Sequence, residues 1–483
     1  MTQTLSSSLT SIIQKYNLDI SIISVSEIEW LMRVEAEFYN SIFLERKKKL
    51  GNKKYTTLWE IANVYSGPAY SSEEIKEIGW EDFYPIVKIG DVTNKRNIEQ
   101  LDFVSRNNVE SFWNKFYHKN DILVSMTGDP WNVWGAHMFE VVDNKSVVYN
   151  QRVACIRKKE NEIPLYYLFV FLDSEYSRYH IERWAMWIRQ RNASINDIRT
   201  ILIPLPSLIF QSRIAELVQE AHSQRELSRS LYAEAEQIFL TELGLIGWIP
   251  TEVGITEKMS EEVKLFGRCD AEFFQPKYDE LFERLTKFQT QKLWDIVNYQ
   301  KWVEPWADAY SETGIPFIRV ADVSIDGIDS IEKNISPELL EEYGERYSPK
   351  KDEILFTKDG TIGISFVVNE DMRAVLSGAF LRLQKKIDIE SEYLALVLNS
   401  VVSKMQIERF SGWAIIAHLK PIDAMEILIP IVSPDIQSLI SSRIIASHSA
   451  REKLKTLLEW ANRAVEIFIE EDESIAREFL RGL

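Results

Sequence analysis

The two halves of this 483-residue sequence carry the same short motifs in the same order. The matching segments are Ala36-Glu37-Phe38-Tyr39 with Ala271-Glu272-Phe273-Phe274, Leu58-Trp59-Glu60-Ile61 with Leu293-Trp294-Asp295-Ile296, Ile181-Glu182-Arg183-Trp184 with Ile407-Glu408-Arg409-Phe410, and Ile201-Leu202-Ile203-Pro204 with Ile427-Leu428-Ile429-Pro430. The offset is 235 residues for the first two pairs and 226 for the last two, as length changes in loops would produce. The duplication predicts two copies of one fold in tandem, and therefore two similar binding sites.

The composition excludes several classes of protein. No apolar run approaches the roughly 18 residues that a membrane helix needs, and the Ser/Thr-rich start does not resemble a signal peptide. Cys155 and Cys269 lie in different halves, which fits a reducing cytosol, so we expect a cytoplasmic protein without a membrane partner. The net charge of −17 argues against a chain that coats nucleic acid non-specifically. It remains compatible with a protein whose basic residues cluster on one face.

Each half has the same predicted order of elements. An amphipathic segment comes first, short β-type runs follow, then a helix and an Ile-Leu-Ile-Pro strand. In the first half these are Glu27–Leu50, Tyr84–Ile89, Asp121–Ser125, Val147–Arg157 and Leu165–Trp184; in the second they are Glu261–Phe288, Pro316–Val320, Glu353–Thr357, Ala374–Gln384 and Ser391–Phe410. This mixture predicts an α/β or α+β unit of roughly 170 residues in each half.

A long helix is predicted after each of these units. Ser207–Leu243 contains neither proline nor glycine and carries apolar residues near heptad spacing, and a similar segment follows Pro434, with Asp435 as its expected N-cap. A helix of about 37 residues is roughly 55 Å long, and its narrow apolar stripe needs a partner. We favour pairing of the two helices in an antiparallel coil; the alternative is two surface helices, each packed on its own domain.

These motifs resemble the specificity subunit of type I restriction-modification enzymes over most of the chain, from about Glu27 to Glu470. The residues that carry the resemblance are Asp121–Gly128 and Glu353–Gly363, Ile203-Pro204-Leu205-Pro206 with Gln211 and Ile214, their counterparts Ile429-Pro430, Gln437 and Ile440, and Ala233–Gly244 at the end of the first long helix. Each motif is weak alone. Their order, repeated around two long helices, is specific.

The resemblance implies a mixed α/β (α+β) fold, with two tandem homologous globular target recognition domains separated by two long α-helices that form an antiparallel coiled coil. We expect an N-terminal arm at residues 1–26, recognition domains at 27–206 and 251–433, and helical regions at 207–250 and 434–483. The implied partners are double-stranded DNA, two methyltransferase subunits and a motor-nuclease subunit. S-adenosylmethionine, ATP and Mg²⁺ are expected in those partners, with no cofactor in this chain.

The sequence lacks the motifs of a self-contained enzyme. It has no phosphate-binding Gly-x-x-x-x-Gly-Lys-Ser/Thr, no Gly-x-Ser-x-Gly and no metal-ligand spacing. Gly128-Asp129-Pro130-Trp131 only approaches a methyltransferase motif, and its counterpart Gly360-Thr361 does not. Asp91 and Asp322 occupy equivalent positions and could serve a nuclease, but an aspartate that starts a turn is the preferred explanation. We therefore predict a non-catalytic protein.

The candidate DNA-binding residues are basic or amide side chains at strand ends and in segments where the halves differ. They are Lys48, Lys53, Lys88, Arg189, Gln190, Arg191, Asn192, Arg319 and Lys358. The tract from Arg189 to Asn192 offers side chains that read major-groove edges, whereas its counterparts from Ile415 are largely apolar, as expected of two domains that read different sequences. The neighbouring Trp184 and Trp187 are more simply explained as core residues.

Two interpretations of these residues stay open. Lys48 and Lys53 belong to a basic run, which suits a phosphate contact or a solvated helix end equally well. For the whole chain, the alternative is a two-headed scaffold that binds proteins and has no role in DNA recognition, which the acidic net charge favours.

Overall fold

The computed structural model describes residues 36–71, 73–76, 82–96, 98–109, 116–128, 135–139, 147–185, 191–251, 257–300, 310–311, 313–328, 331, 333–338, 348–411 and 418–483, with isolated positions between 21 and 28. The chain forms two compact units. One contains Met1–Ser223 and Lys453–Leu483, and the other contains Gln224–Glu452. The expected N-terminal arm therefore lies almost wholly outside the described residues.

The first half alternates short helices and strands. Its helices are α1 (Ser41–Gly51), α2 (Leu58–Ile61), α3 (Ile89–Thr93), α4 (Leu165–Asp173), α5 (Glu175–Trp184) and α6 (Ile195–Arg199). Its strands are β1 (Tyr55–Thr57), β2 (Ala62–Ser66), β3 (Ile75–Lys76), β4 (Phe83–Val87), β5 (Asp102–Ser105), β6 (Phe116–Tyr117), β7 (Ile122–Ser125), β8 (Thr127–Gly128), β9 (Ala136–His137), β10 (Val147–Tyr149), β11 (Val153–Lys158), β12 (Arg191–Asn192) and β13 (Leu202–Pro204). The long helix α7 (Leu208–Glu242) follows.

The second half repeats this plan. Its helices are α8 (Ser260–Phe266), α9 (Pro276–Leu285), α10 (Leu293–Ile296), α11 (Ser391–Asn399), α12 (Val401–Ser411), α13 (Pro421–Met425), the long helix α14 (Pro434–Glu470) and α15 (Glu473–Arg481). Its strands are β14 (Thr290–Lys292), β15 (Val297–Gln300), β16 (Tyr310–Ser311), β17 (Ile315–Ile318), β18 (Val323–Ser324), β19 (Gly327–Ile328), β20 (Lys333–Ile335), β21 (Ile354–Thr357), β22 (Ser365–Val367), β23 (Val375–Leu376), β24 (Phe380–Lys385) and β25 (Leu428–Pro430).

The sheet topology confirms the duplication. A four-stranded sheet runs β2-β11-β7-β9 in the first half and β15-β24-β21-β22 in the second. A second sheet runs β3-β5-β4-β10-β6 in the first half and β16-β20-β17-β23 in the second, with the parallel pairs β4·β10 and β17·β23. In each half a short antiparallel pair, β1·β13 or β14·β25, joins an early strand to the strand that precedes the long helix. The predicted mixed α/β fold with two homologous domains is therefore confirmed.

The helix predicted over Leu165–Trp184, and its counterpart over Ser391–Phe410, are each two helices. Ser174 and Ser400 interrupt them in extended conformation, with ψ of 159° and 167°. The hydroxyl of each serine donates 2.6 Å to a carbonyl three residues earlier. Because this bond satisfies the end of the first helix locally, the chain can turn without leaving a buried carbonyl unpaired. The predicted Val147–Arg157 strand is likewise two strands, since β10 and β11 belong to different sheets.

In each half, the segment from the Ile-Leu-Ile-Pro strand to the glutamine that follows it connects the domain to its long helix. The buried Gln211 donates through Nε2 to the carbonyl of Pro206 at 2.9 Å, and Gln437 donates to Val432 at the same distance. Ser207 and Ser433 immediately precede α7 and α14, and their hydroxyls accept hydrogen bonds from backbone amides of the first helical turn. Ser433 is thus the N-cap residue of α14, and the prediction of Asp435 in that role is wrong. Asp435 lies in the first turn, where its charge favours the helix dipole.

Within each unit the two long helices contact each other in antiparallel order. In the first unit Phe210 packs on Phe468 at 5.7 Å, and Lys453 Nζ lies 2.7 Å from Glu220. In the second unit the buried Ser228 and Ser447 hydroxyls are 3.0 Å apart, and Arg443 lies 2.9 Å from Glu234. Residue numbers fall along one helix as they rise along the other. These contacts confirm the antiparallel pairing that the heptad pattern predicts.

A buried tyrosine ties each α-helical pair to the strand that leads into the long helix. Tyr167 donates to the carbonyl of Pro204 at 2.8 Å, and Tyr393 donates to that of Pro430 at 2.7 Å. Replacing either tyrosine by phenylalanine leaves a buried carbonyl without its donor, so we expect each substitution to cost about 1–3 kcal/mol of stability. Urea unfolding of Tyr167→Phe and Tyr393→Phe measures this cost. Equal stability of variant and parent would show that these bonds are not needed.

Candidate nucleic-acid interface

Described residues from two segments that differ between the halves lie side by side in each half. In the first half β8 pairs antiparallel with β12, and the Thr127 hydroxyl donates 2.5 Å to the side-chain oxygen of Asn192. In the second half Asp359 forms a β-bridge with His418, and its carboxylate contacts the imidazole. We call these the paired loop tips: Thr127–Gly128 with Arg191–Asn192, and Asp359 with His418. Both occupy the same place in the duplicated fold.

Each paired loop tip stands on a fully buried strand. In the first half the tip follows β7, and the amide of Ala193 donates to the carbonyl of Met126 at 2.8 Å. In the second half the tip follows β21, and the amide of Leu419 donates to the carbonyl of Lys358 at 2.8 Å. Thr127 itself is buried, whereas Asn192 and His418 are exposed. Exposed side chains on a rigid base are a common arrangement for recognition, because the scaffold holds them without having to order them on binding.

The loop after the second tip is a tight turn that requires glycine. Gly360 and Gly363 have φ of +70° and +89°, a region that residues with a Cβ rarely adopt. The Thr357 hydroxyl donates to the carbonyl of Thr361 at 2.6 Å and accepts from the amide of Ile364 at 2.9 Å, which fixes the turn. The first half differs here, because residues 129–134 lie between Gly128 and Gly135 and are outside the described residues.

The chemistry of the two tips differs. The first presents the exposed Asn192 amide beside the Thr127 hydroxyl. The second presents His418, whose side chain is 54% exposed, beside Asp359, which also pairs with Lys358. Amides recognise adenine edges and carboxylates accept from cytosine, so the two sets suit different base pairs. Arg191 contributes its backbone to β12, while Arg189 and Gln190 lie outside the described residues, as does Trp187.

Lys88 and Arg319 are equivalent, as predicted, but both take part in the fold. Their backbone amides donate to Asp91 at 2.7 Å and to Asp322 at 2.8 Å. The Lys88 ammonium pairs with Asp102, and the Arg319 guanidinium lies 2.8 Å from Asp322. A DNA contact by either cation would have to be made in competition with these carboxylates.

Asp91 and Asp322 stabilise short helical turns, in which each is the third residue after the N-cap residue, Lys88 or Arg319. Both are 1% exposed, and each accepts the amide three residues before it. Burial raises the pKa of Asp91 above its usual value, although the Lys88 amide and the charges of Arg96 and Lys88 oppose the shift. Among the described residues no group of three or more His, Cys, Asp or Glu side chains is placed to hold a metal ion. Both aspartates therefore stabilise a turn, as expected, although Lys88 and Arg319 rather than the aspartates begin it.

Lys48 and Lys53 of the basic run lie in two different environments. Lys53 lies on the ring of Phe468 and donates 2.5 Å to the carbonyl of Glu471, so its charge stabilises the C-terminal end of α14. Lys48 is exposed in the last turn of α1 and remains a prediction as a phosphate contact. Lys358, whose side chain is 13% exposed, is held by Asp359.

Sequence reasoning singled out both loops and named Asn192, but it missed the contacts that join the loops. Thr127 and Asn192 face each other although 65 positions separate them, and Asp359 and His418 are 59 positions apart. The parallel differences between halves, Thr127 against Asp359 and Asn192 against His418, could have indicated the pairing. Trp184, predicted as core, is partly buried and packs edge-on against Phe38 with ring centroids 5.0 Å apart.

Comparisons with known proteins agree with this duplicated architecture. The sequence model of the type I restriction modification DNA specificity domain matches residues 51–237 and 286–455. The type I restriction enzyme EcoBI specificity subunit of Escherichia coli is 24% identical over 392 residues, which span 80% of this chain and 77% of that protein. The two regions that match the family model lie one in each half, and together they cover most of the chain.

Two specificity subunits are among the solved structures to which this chain is similar. The S subunit of a type I restriction-modification system from M. genitalium is 17% identical, with 86% of this chain and 96% of that chain covered and a TM-score of 0.37. The HsdS subunit from Thermoanaerobacter tengcongensis is 13% identical, with 89% and 96% covered and a TM-score of 0.27.

The chain belongs to the type I restriction-modification specificity subunit family. This family is non-catalytic and supplies DNA specificity, so the chain is not itself an enzyme. No helix among the described residues is both long and apolar enough to cross a membrane.

Proposed function

We propose that this chain reads a bipartite DNA target, with one half-site recognised by each target recognition domain. The observation that carries the proposal is the pair of loop tips, which occupy the same place in the two copies of the fold but present different side chains. A common scaffold with divergent tips is what two half-sites of different sequence would require. The domains are those expected from the sequence, at residues 27–206 and 251–433.

We also propose that two methyltransferase subunits dock on the paired long helices and that a motor-nuclease subunit completes the complex. Carboxylates on these helices, such as the partly exposed Glu236 and the exposed Glu234, which also pairs with Arg443, are suited to a basic partner surface. S-adenosylmethionine, ATP and Mg²⁺ would then be bound by the partners, and the complex would act on DNA in the cytoplasm. The direct test maps methylated sites in DNA treated with this chain and its cognate methyltransferase: two short sequences separated by a fixed spacer are expected.

A matched pair of substitutions tests the assignment of half-sites. We expect Asn192→Ala to weaken or relax recognition of one half-site by about 1–3 kcal/mol, and His418→Ala to do the same at the other, because each removes one base-reading group. Binding to DNAs altered in one half-site at a time measures both effects, with thermal unfolding as the control for folding.

The outcomes separate the possible roles. Equal loss on every DNA would identify a phosphate contact, which carries no sequence information. Unchanged binding to all DNAs by both variants would exclude the loop tips from recognition. Absence of any DNA binding by the complex would favour the two-headed protein scaffold.

A further inference from the structure

The first unit contains a cavity of about 840 Å³ that is separate from its paired loop tip. Its walls are formed by α1, α5, α6 and residues of β1, α2 and β13. The volume lies within the roughly 300–1,000 Å³ of small-molecule sites. Nothing in the proposed DNA recognition uses this cavity.

The wall of the cavity is positively charged, although the whole chain is acidic. Arg46, Lys47, Arg183 and Arg199 line it, and among the described residues that do so there is no aspartate or glutamate. Arg46 pairs with Glu175 behind the wall at 3.1 Å. Arg199 donates only to the Asn196 side chain and the Val64 carbonyl, and its buried Nε has no hydrogen-bond partner. A concave cationic surface of this kind favours an anion.

His180 adds a neutral polar group to the same wall. Burial, together with the neighbouring charges of Arg183 and Lys47, lowers its pKa to about 3. Its Nε2 lies 3.0 Å from the hydroxyl of Thr200, which is exposed. The imidazole is therefore uncharged near neutral pH and can accept or donate a hydrogen bond.

Aromatic faces complete the lining. Trp59 is 57% exposed and Tyr55 is 47% exposed, and both line the cavity. Arg199 lies 4.9 Å from the centre of the Trp59 ring, and Arg46 lies 3.7 Å from that of Tyr179. Rings alternating with cations can hold a planar ring and an attached anionic group together.

The second half carries core residues at the corresponding positions. The counterpart of Arg46 is Leu281, at offset 235, and the counterpart of Arg199 is Met425, at offset 226. Leu281 is fully buried and Met425 is 1% exposed. The framework is shared, since Arg183 and its counterpart Arg409 both donate to the carbonyl of an equivalent phenylalanine. The cationic wall is thus a feature of the first half that the fold itself does not require.

We propose that this cavity binds a free nucleotide, with the base against the aromatic faces and the phosphates on the Arg46, Lys47 and Arg199 side of the wall. The combination of rings, basic side chains without a carboxylate in the lining, and adequate volume carries the proposal. A nucleotide bound here would make the first half, but not the second, responsive to a small molecule. The inference stands apart from the proposed reading of DNA by the loop tips.

The test measures binding of ATP to the full-length chain by equilibrium dialysis, with adenosine and inorganic triphosphate as separate probes. We expect saturable binding of ATP that is tighter than that of either probe. Arg199→Met installs the residue of the second half and should weaken binding about tenfold or more, the effect of losing a hydrogen bond to a charged group. Thr200→Glu, which installs the second-half Glu426 at an exposed position, should weaken it by placing a carboxylate at the wall.

Lys159→Met is the matched control. Lys159 lies over the same Trp59 ring at 5.5 Å but does not line the cavity, so this variant should bind ATP like the parent. Thermal unfolding verifies that each variant is folded. The proposal would be overturned if ATP binding were not saturable, or if both cavity variants bound ATP as tightly as the parent. Binding of triphosphate as tight as that of ATP would also overturn it. Complete displacement of ATP by stoichiometric duplex DNA would assign the site to DNA and would also overturn it.

Discussion

Replacing Arg382 by methionine is expected to lower the free energy of unfolding of the second unit by about 3–5 kcal/mol, the usual cost of leaving a buried charge without its partner. Arg382 is 3% exposed and its Nε donates 2.6 Å to Glu353, which is 4% exposed. Glu353 also accepts from Gln384 at 2.7 Å and from the amide of Lys350 at 2.9 Å. These two bonds do not neutralise its charge, so the carboxylate stays destabilised in the variant.

The pH dependence should reverse in this variant. Burial acts to raise the pKa of Glu353, but hydrogen bonds from Arg382 and Gln384 and from the Lys350 amide outweigh it and hold the pKa below its usual value. In the parent the pair therefore stabilises the fold above the unfolded pKa, and this contribution is lost as pH falls through the folded pKa. Without Arg382 burial dominates, the pKa rises, and stability should instead be lost as pH rises through the new value.

Urea unfolding at several pH values, combined with hydrogen exchange of β21 and β24, measures this effect. Lys333→Met is the control, because this exposed lysine on β20 should change stability by no more than about 0.5 kcal/mol. The double variant Arg382→Met with Glu353→Met should recover most of the loss, since both charges are then absent. If Arg382→Met were as stable as the parent, the Glu353 carboxylate would not be held in a buried position.

A second large effect is expected from lengthening the long helices at opposed positions. The contacts of Phe210 with Phe468 and of Ser228 with Ser447 place Arg225 of α7 opposite Ala450 of α14. Inserting seven residues after each, by duplicating residues 219–225 and 444–450, keeps the heptad register and the existing contacts. Seven residues add about 10 Å of helix, which corresponds to about 3 bp of DNA.

If the helices set the spacer, the altered chain should lose its original target and recognise one with a spacer longer by about 3 bp. Mapping methylated sites with the cognate methyltransferase gives the spacer directly. An insertion in α7 alone is the control, because it misaligns the paired apolar residues and should abolish assembly of an active complex. An unchanged spacer in a folded, active double-insertion complex would show that helix length does not determine the distance between half-sites.

The sequence by itself determined the features that depend on local spacing. The repeat of Leu58-Trp59 in Leu293-Trp294 showed the duplication, and heptad spacing without Gly or Pro placed both long helices within a few residues of their observed bounds. Side-chain periodicity reflects which face of a helix is buried, so it can be read from neighbouring residues alone. The resemblance to a specificity subunit rests on the order of such local motifs.

Only the tertiary structure decided which distant residues meet. Asn192 faces Thr127 because β12 pairs with β8, 65 positions earlier in the chain. The break at Ser174 occurs without a proline or glycine, in a sequence whose local pattern predicts one continuous helix. The cationic cavity arises because Arg46 and Arg199, which are 153 positions apart in the sequence, line the same cavity. Strand pairing and cavity formation are contacts between residues far apart in the chain, and local propensity carries no information about such partners.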